Sequence, residues 1–153
     1  VIDRLKNTML NPLLLIPSPP DSRGPVIRNV AMVSGNSQTY ALGSVKAIRQ
    51  GKYRLYADVS DMIDGSSNEL SPFRISVLVN GSEYHSLPFE LLKEENGRVF
   101  LSERGNTRDS LYGDSSRTFL GEITLSRGRA DIAIIARDTS GNERSVQFGL
   151  LID

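Results

Sequence analysis

Three stretches of this chain alternate apolar and polar residues with a period of two, and this pattern constrains the fold more than any other feature. In KYRLYADVS, residues 52–60, Leu55 and Val59 share a face that the charged residues avoid. ADIAIIARD (130–138) and SVQFGLLID (145–153) repeat the pattern. Successive side chains of an extended strand point to opposite sides, so a period of two is typical of a strand with one buried face. The chain is therefore predicted to consist of half-buried β-strands.

The remaining pattern supports the same fold class. Further strands are expected at residues 26–33, 39–49, 73–79, 82–87, 98–102 and 117–125. DRLKNTML (3–10) and PFELLKEENG (88–97) are expected to form a helical turn or two at most. Seven to nine short strands separated by turn-forming residues predict an all-β fold, namely an antiparallel immunoglobulin-like β-sandwich.

The domain boundary is expected near Pro25. PSPPDSRGP (17–25) contains four of the seven prolines, and proline fixes the backbone in an extended form without a donor for a sheet. Residues 1–24 are therefore predicted to be an extended N-terminal segment with a proline-rich linker, and residues 25–153 one sandwich domain with a single core.

A tight hairpin is predicted at VLVNGSEY, residues 77–84. Asn80 and Gly81 tolerate the positive φ angles of a type I′ turn, whose twist matches the flanking strands. In the resulting register Val77 faces Tyr84, both on the core side, and His85 lies on the polar face.

Composition excludes several function classes. The 18 basic residues balance the 18 acidic ones, which gives no field to attract nucleic acid. There is no cysteine and only one histidine, so thiolate and zinc centres are not expected. The longest apolar run, residues 13–16, is far shorter than the roughly 20 residues of a membrane span. Without a nucleophile-elbow, phosphate-loop or dinucleotide motif, we expect neither catalysis nor a cofactor.

The segment ARDTSGNERS, residues 136–145, admits two interpretations. In the first it is a turn, with Asp138 accepting from the backbone N–H of Thr139 or Ser140 and Gly141 closing the turn. In the second it contributes to a calcium site, because calcium prefers six to eight oxygen ligands. The candidate ligands are Asp58, Asp61, Asp64, Asp138 and Asn142. Their spacing is not that of a calcium loop, so the turn is the leading interpretation and no metal is expected.

Two tyrosines are candidates for sugar contact. Tyr56 lies on the polar face of its strand and Tyr112 in a long loop, so both are expected to be exposed. Tryptophan, the usual platform residue, is absent from the chain. The aromatic content therefore indicates glycan binding only weakly.

Two parts of the chain resemble a known bacterial family. NTMLNPLLLIPSPPD (7–21) is similar to the end of a lysostaphin-type zinc endopeptidase domain. The later segments GKYRLYADVSD, RISVLVNGSEY and FLGEITLSRGRADIAIIARDTSGNE resemble the immunoglobulin-like domain that accompanies such peptidases. The H-x(3)-D and H-x-H zinc motifs of the peptidase are missing here, so no catalytic residue carries over.

The resemblance implies a non-catalytic binding or positioning module of a periplasmic or extracellular bacterial protein, as the accessory domain of a cell-wall peptidase. Its expected partners are an upstream peptidase-like domain of the same polypeptide, peptidoglycan or an envelope protein. A carbohydrate-binding module that recognises peptidoglycan is the alternative.

Overall fold

The computed structural model of the protein describes residues 2–4, 7–15, 20–96, 98–101, 106–107, 111 and 117–153. Its strands, in chain order, are β1 (Ile2–Asp3), β2 (Thr8–Leu10), β3 (Val26–Ser34), β4 (Thr39–Ala41), β5 (Ala47–Ile48), β6 (Gly51–Ser60), β7 (Arg74–Val79), β8 (Ser82–Pro88), β9 (Leu91–Glu95), β10 (Arg98–Leu101), β11 (Asn106–Thr107), β12 (Thr118–Leu125), β13 (Gly128–Arg137) and β14 (Glu143–Ile152). A single 3₁₀ turn, Pro12–Leu14, follows β2. In these residues no helix is both long enough and apolar enough to cross a membrane.

Nine of these strands form the predicted sandwich. One sheet has four strands in the order β12-β6-β3-β4, and the other has five in the order β5-β14-β13-β7-β8. All pairs are antiparallel except β5 with β14. Neighbours β12, β6 and β3 correspond to the E, B and A strands of an immunoglobulin domain, and β14, β13 and β7 to its G, F and C strands. The all-β, immunoglobulin-like sandwich is therefore confirmed.

The core lies between the two sheets and follows the alternation in the sequence. Leu55 of β6 and Ile123 of β12 meet Ile132 and Ile134 of β13, and all four are fully buried. Alternate residues of the same strands, such as Arg54, face solvent. Burial of such side chains contributes about 25 cal/mol per Å² of apolar surface, so this layer stabilises the packing of one sheet on the other.

The expected strand at residues 39–49 is instead two short strands in different sheets. β4 pairs with β3 in the four-stranded sheet, whereas β5 pairs in parallel with β14 in the other. A turn closed by the bond from Val45 N to Ala41 O, 3.0 Å, carries the chain across. Leu42 is buried at the crossing, so its apolar side chain joins the core rather than continuing an alternating strand.

A third, smaller sheet was not expected. It has the order β1-β2-β9-β10-β11, so the described parts of the two stretches predicted to form helical turns contain strands, β2 in the first and β9 in the second. Asn96, with φ of 52°, turns the chain between β9 and β10, and β2 pairs with β9. Leu92 and Leu101 pack against the main core, which explains why these residues extend across it instead of coiling.

The predicted hairpin at Asn80 and Gly81 is present, but its register changes two residues from the turn. Both turn residues have positive φ, and Val79 faces Ser82 as predicted. A β-bulge then shifts the pairing so that Val77 faces His85. The prediction that Tyr84 is in the core and His85 on the polar face is therefore wrong.

His85 instead connects the two sheets at their adjoining edges. Its Nε2 lies 2.6 Å from the carbonyl oxygen of Glu122 on β12, to which it donates. The ring rests on Gly121, where any Cβ would be 2.7 Å from both Cγ and Nε2 of the histidine. Tyr84 is consequently turned outward and is 41% exposed. This close approach supplies the physical reason for the bulge, because the regular register would place the imidazole on the opposite side of β8.

Candidate functional site

Polar side chains converge where the N-terminal segment meets the sandwich. The connector, defined here as residues 20–25, runs into β3. Two loops lie against it: residues 61–66, which follow β6, and residues 138–142, which join β13 to β14. We refer to these three segments together as the junction.

The loop at residues 138–142 folds as a closed turn. Asp138 N donates to the carbonyl oxygen of Asn142 at 3.1 Å, and Asn142 N donates back to Asp138 Oδ1 at 2.8 Å. Gly141 has a φ of 91°, which an L-residue with a side chain rarely adopts. The predicted role of Gly141 is confirmed, but the bond that Asp138 accepts comes from Asn142 rather than from Thr139 or Ser140.

Asn142 also holds the connector. Its Nδ2 donates to Asp138 Oδ2 at 2.7 Å and to the main-chain oxygen of Asp21 at 3.0 Å, and it lies 3.4 Å from that of Arg23. One amide group thus joins a turn at the end of β13 to backbone more than a hundred positions earlier. These bonds go to backbone carbonyl oxygens, so they do not depend on the side chains of Asp21 and Arg23. They fix the path of the connector backbone.

The loop at residues 61–66 holds the connector from the other side. Ser22 donates to Asp64 Oδ2 from its backbone N at 2.9 Å and from its Oγ at 2.8 Å. Arg23 forms an ion pair with Asp64, with 3.0 Å between Nε and Oδ1, and donates to the carbonyl oxygens of Ile63 and Ser66. The hydrogen bonds from Ser22, and then Arg23, lower the pKa of Asp64. Asp64 is therefore held as an anion by the connector.

Three carboxylates form a cluster inside the junction. The acidic cluster comprises Asp21, Asp61 and Asp138, each offering one oxygen atom within 4.8 Å of the others. Asp61 is 6% exposed and Asp138 is 2% exposed, whereas Asp21 is half-buried. Burial, followed by the charge of Asp138, raises the pKa of Asp61. The cluster is thus a concentration of negative charge in a place with little water.

The junction contains only some of the residues that the sequence suggested for calcium. Asp61, Asp138 and Asn142 meet there, and Asp64 adjoins them through the bond from its backbone N to Asp21 Oδ1, 3.2 Å. Asp58 does not join them, since its Oδ2 accepts from Asn29 Nδ2 at 2.6 Å beside the bulge in β3. Asp21 was not among the predicted ligands, although its place in a proline-rich connector, just before the first long strand, was a usable signal.

The tyrosines suggested for sugar contact are described only in part. Tyr56 is half-buried, and its ring packs against Phe119 of the neighbouring strand with 5.4 Å between centroids. Tyr112 lies outside the described residues. Glycan contact by these residues stays a prediction.

Comparison with known proteins assigns the sandwich to a family. Residues 24–153 match the model of a protein family that is uncharacterised. The match begins inside the connector and covers the whole sandwich. A search of curated proteins gave no match.

Proposed function

We propose that this chain, which belongs to that uncharacterised family, is a non-catalytic module that sets the position of a neighbouring part of an extracytoplasmic bacterial protein. The observation that carries the proposal is the junction. A connector between independently moving units is normally solvated and makes few contacts with either of them. Here both flanking loops bind the connector.

The bonds at the junction act on both sides of the connector. The loop at residues 138–142 binds its main-chain oxygens, and the loop at residues 61–66 binds the backbone N of Ser22 and the side chains of Ser22 and Arg23. The contacts with Arg23 and Ser22 are charge-assisted, and such bonds contribute more than neutral ones. A connector held at several points in this way leaves the sandwich in one fixed direction. The part of the polypeptide that precedes the connector is therefore held in a fixed orientation relative to the sandwich.

The resemblance to companion domains of lysostaphin-type peptidases supplies the biological setting of the proposal. In that setting the oriented neighbour is an upstream peptidase-like domain of the same polypeptide, and peptidoglycan or an envelope protein is the surrounding partner. The proposed location, periplasmic or extracellular, follows from the same resemblance. Peptidoglycan recognition by the sandwich itself is the alternative function.

A distance measurement across the junction tests the positioning role. The chain contains no cysteine, so spin labels can be attached specifically at Pro20→Cys and at Thr124→Cys, two exposed positions. We expect a single narrow distance distribution by double electron–electron resonance. Asn142→Ala removes the amide that binds the connector, and it should broaden the distribution without unfolding the sandwich.

Asn68→Ala serves as the control, because Asn68 is an exposed residue of the same loop region outside the junction. It should leave the distribution unchanged. A broad distribution in the protein with native Asn142 would show that the connector does not orient its neighbour, and the positioning role would be abandoned.

A further inference from the structure

We propose that the acidic cluster of Asp21, Asp61 and Asp138 binds a calcium ion that fastens the connector to both loops of the sandwich. This site goes beyond the positioning role, because the hydrogen bonds of the junction hold the connector by themselves. It also differs from the ligand set suggested by the sequence: Asp21 is added, and Asp58, Asp64 and Asn142 are not among the three carboxylate ligands.

The spacing of the three carboxylates falls within the span of the ligands around one calcium ion. Calcium binds carboxylate and carbonyl oxygens at about 2.3–2.6 Å, so two oxygens on opposite sides of the ion are about 4.8 Å apart. The three carboxylates place one oxygen each within 4.8 Å of one another. The three oxygens therefore lie no farther apart than two opposite ligands of one calcium ion. Magnesium binds oxygens at about 2.0–2.1 Å, demands a near-ideal octahedron and gives up its waters reluctantly, so it suits a site of protein carboxylates less well.

A second observation points to a ligand at the same place. Asp61 Oδ1 is fully buried and has no hydrogen-bond partner among the described residues. The residue as a whole is 6% exposed. A buried carboxylate oxygen without a partner is costly, because it loses its bound water on folding and gains no hydrogen bond in exchange. The backbone N–H of Met62 acts on the same carboxylate but leaves Oδ1 without a hydrogen bond of ordinary geometry. A bound cation would remove that cost. If residues 138–142 are only a turn, the buried and unpartnered oxygen of Asp61 has no explanation.

The backbone holds Asp61 in this position. Asp61 N donates to the carbonyl oxygen of Leu70 at 2.9 Å, and Leu70 N donates back to that of Asp61 at 2.8 Å. Asp61 is thus fixed in an isolated bridge, and Asp138 is fixed by its paired bonds with Asn142. Two of the three ligands are therefore preorganised before an ion arrives, which reduces the entropy that binding must overcome.

The nearest positive side chain is engaged elsewhere. Arg23 interacts with Asp61 only through its charge. Its guanidinium donates to the carbonyl oxygens of Ile63 and Ser66 and forms an ion pair with Asp64. Three carboxylates at close range thus lack a directly bonded cation in the described part of the junction. Arg23 and Asp64 offset each other, which leaves the charge of the cluster to be balanced by an ion.

The alternative occupant of the cluster is a proton shared between Asp61 and Asp138. The two alternatives respond differently to added metal, since only the cation site is stabilised by calcium. Binding to the folded state alone raises stability with ligand concentration, and about 2.7 kcal/mol corresponds to a concentration 100-fold above Kd.

The test uses the full chain, first freed of metal with a chelator. Adding 10 mM CaCl₂ should raise the melting temperature by about 5–10 °C if Kd is about 0.1 mM, within the range of extracellular calcium modules. Isothermal titration with CaCl₂ should give a stoichiometry of one. Magnesium at the same concentration should produce a smaller shift. An unchanged melting temperature with no heat of binding would overturn the proposal.

Three isosteric variants locate the ion. Asp61→Asn should abolish the calcium-dependent shift, whereas Asp58→Asn, three residues earlier on β6, should retain it. If Asp61→Asn does not fold, Asp21→Asn on the half-buried connector gives the same information and should weaken binding at least tenfold. A calcium response that survives Asp61→Asn, or that is lost only in Asp58→Asn, would place the ion elsewhere and contradict the assignment.

Discussion

Gly121→Ala is expected to destabilise the sandwich by about 2–5 kcal/mol, a large share of the total stability of a domain. The added methyl group would overlap the His85 ring, which already rests on the glycine. In addition, Gly121 has a φ of 134°, a conformation that an alanine adopts only with strain. Chemical denaturation monitored by circular dichroism gives the change in the free energy of unfolding.

A double-mutant cycle separates the two contributions. Gly121→Ala combined with His85→Ala removes the overlap but not the backbone strain, so the pair should be less destabilising than the sum of the single changes. Gly149→Ala is the matched control, since a Cβ added at this strand glycine would make only ordinary contacts, the nearest to Asp131 Oδ1 at 3.4 Å. A neutral Gly121→Ala, or strict additivity with His85→Ala, would show that the histidine does not lie on Gly121.

Leu150→Ala is expected to cost about 2–5 kcal/mol, because the change leaves a cavity in a packed core. Leu150 is 4% exposed and belongs to the core cluster between the sheets. The adjacent Leu151 is 50% exposed on the outer face of the same strand. Leu151→Ala should therefore change the free energy of unfolding by about 0.5 kcal/mol or less.

The Leu150 and Leu151 pair tests the register of β14 by the same chemical change at neighbouring positions. A shift of one residue would exchange the two faces of the strand. If Leu151→Ala were the more costly substitution in urea denaturation, the pairing of β14 with β13 would be wrong.

The local alternation of apolar and polar residues was sufficient to predict the long strands that contribute to the core. β6, β13 and β14 alternate without interruption, and their buried residues are those that the period of two selects. The β8 bulge could not be predicted in this way, because its cause is a contact between His85 and a glycine in the other sheet. The isolated glycine in FLGEI was an available signal, since glycine inside a strand often marks a close approach.

The junction was predictable only as a set of polar loops. Gly141 and Asn142 are explained by turn chemistry, which acts within five residues. The meeting of Asp21, Asp61 and Asp138 depends on the order of the strands, which brings positions 40 and 77 residues apart to one end of the sandwich. Asp58 was included in the sequence-based set because it lies at a strand end, but the β3 bulge gives it Asn29 as a partner instead.

Amide ¹⁵N relaxation of the unmodified protein tests the central claim most directly, namely that the connector is fixed to the sandwich. The amide of Ser22 donates to Asp64 in the loop after β6 at 2.9 Å, and the amide of Arg23 donates to Asp21 within the connector at 3.2 Å. We expect their order parameters to equal those of β6 and β13, about 0.85. Values below about 0.6 in the connector, with rigid strands on either side of the core, would contradict it.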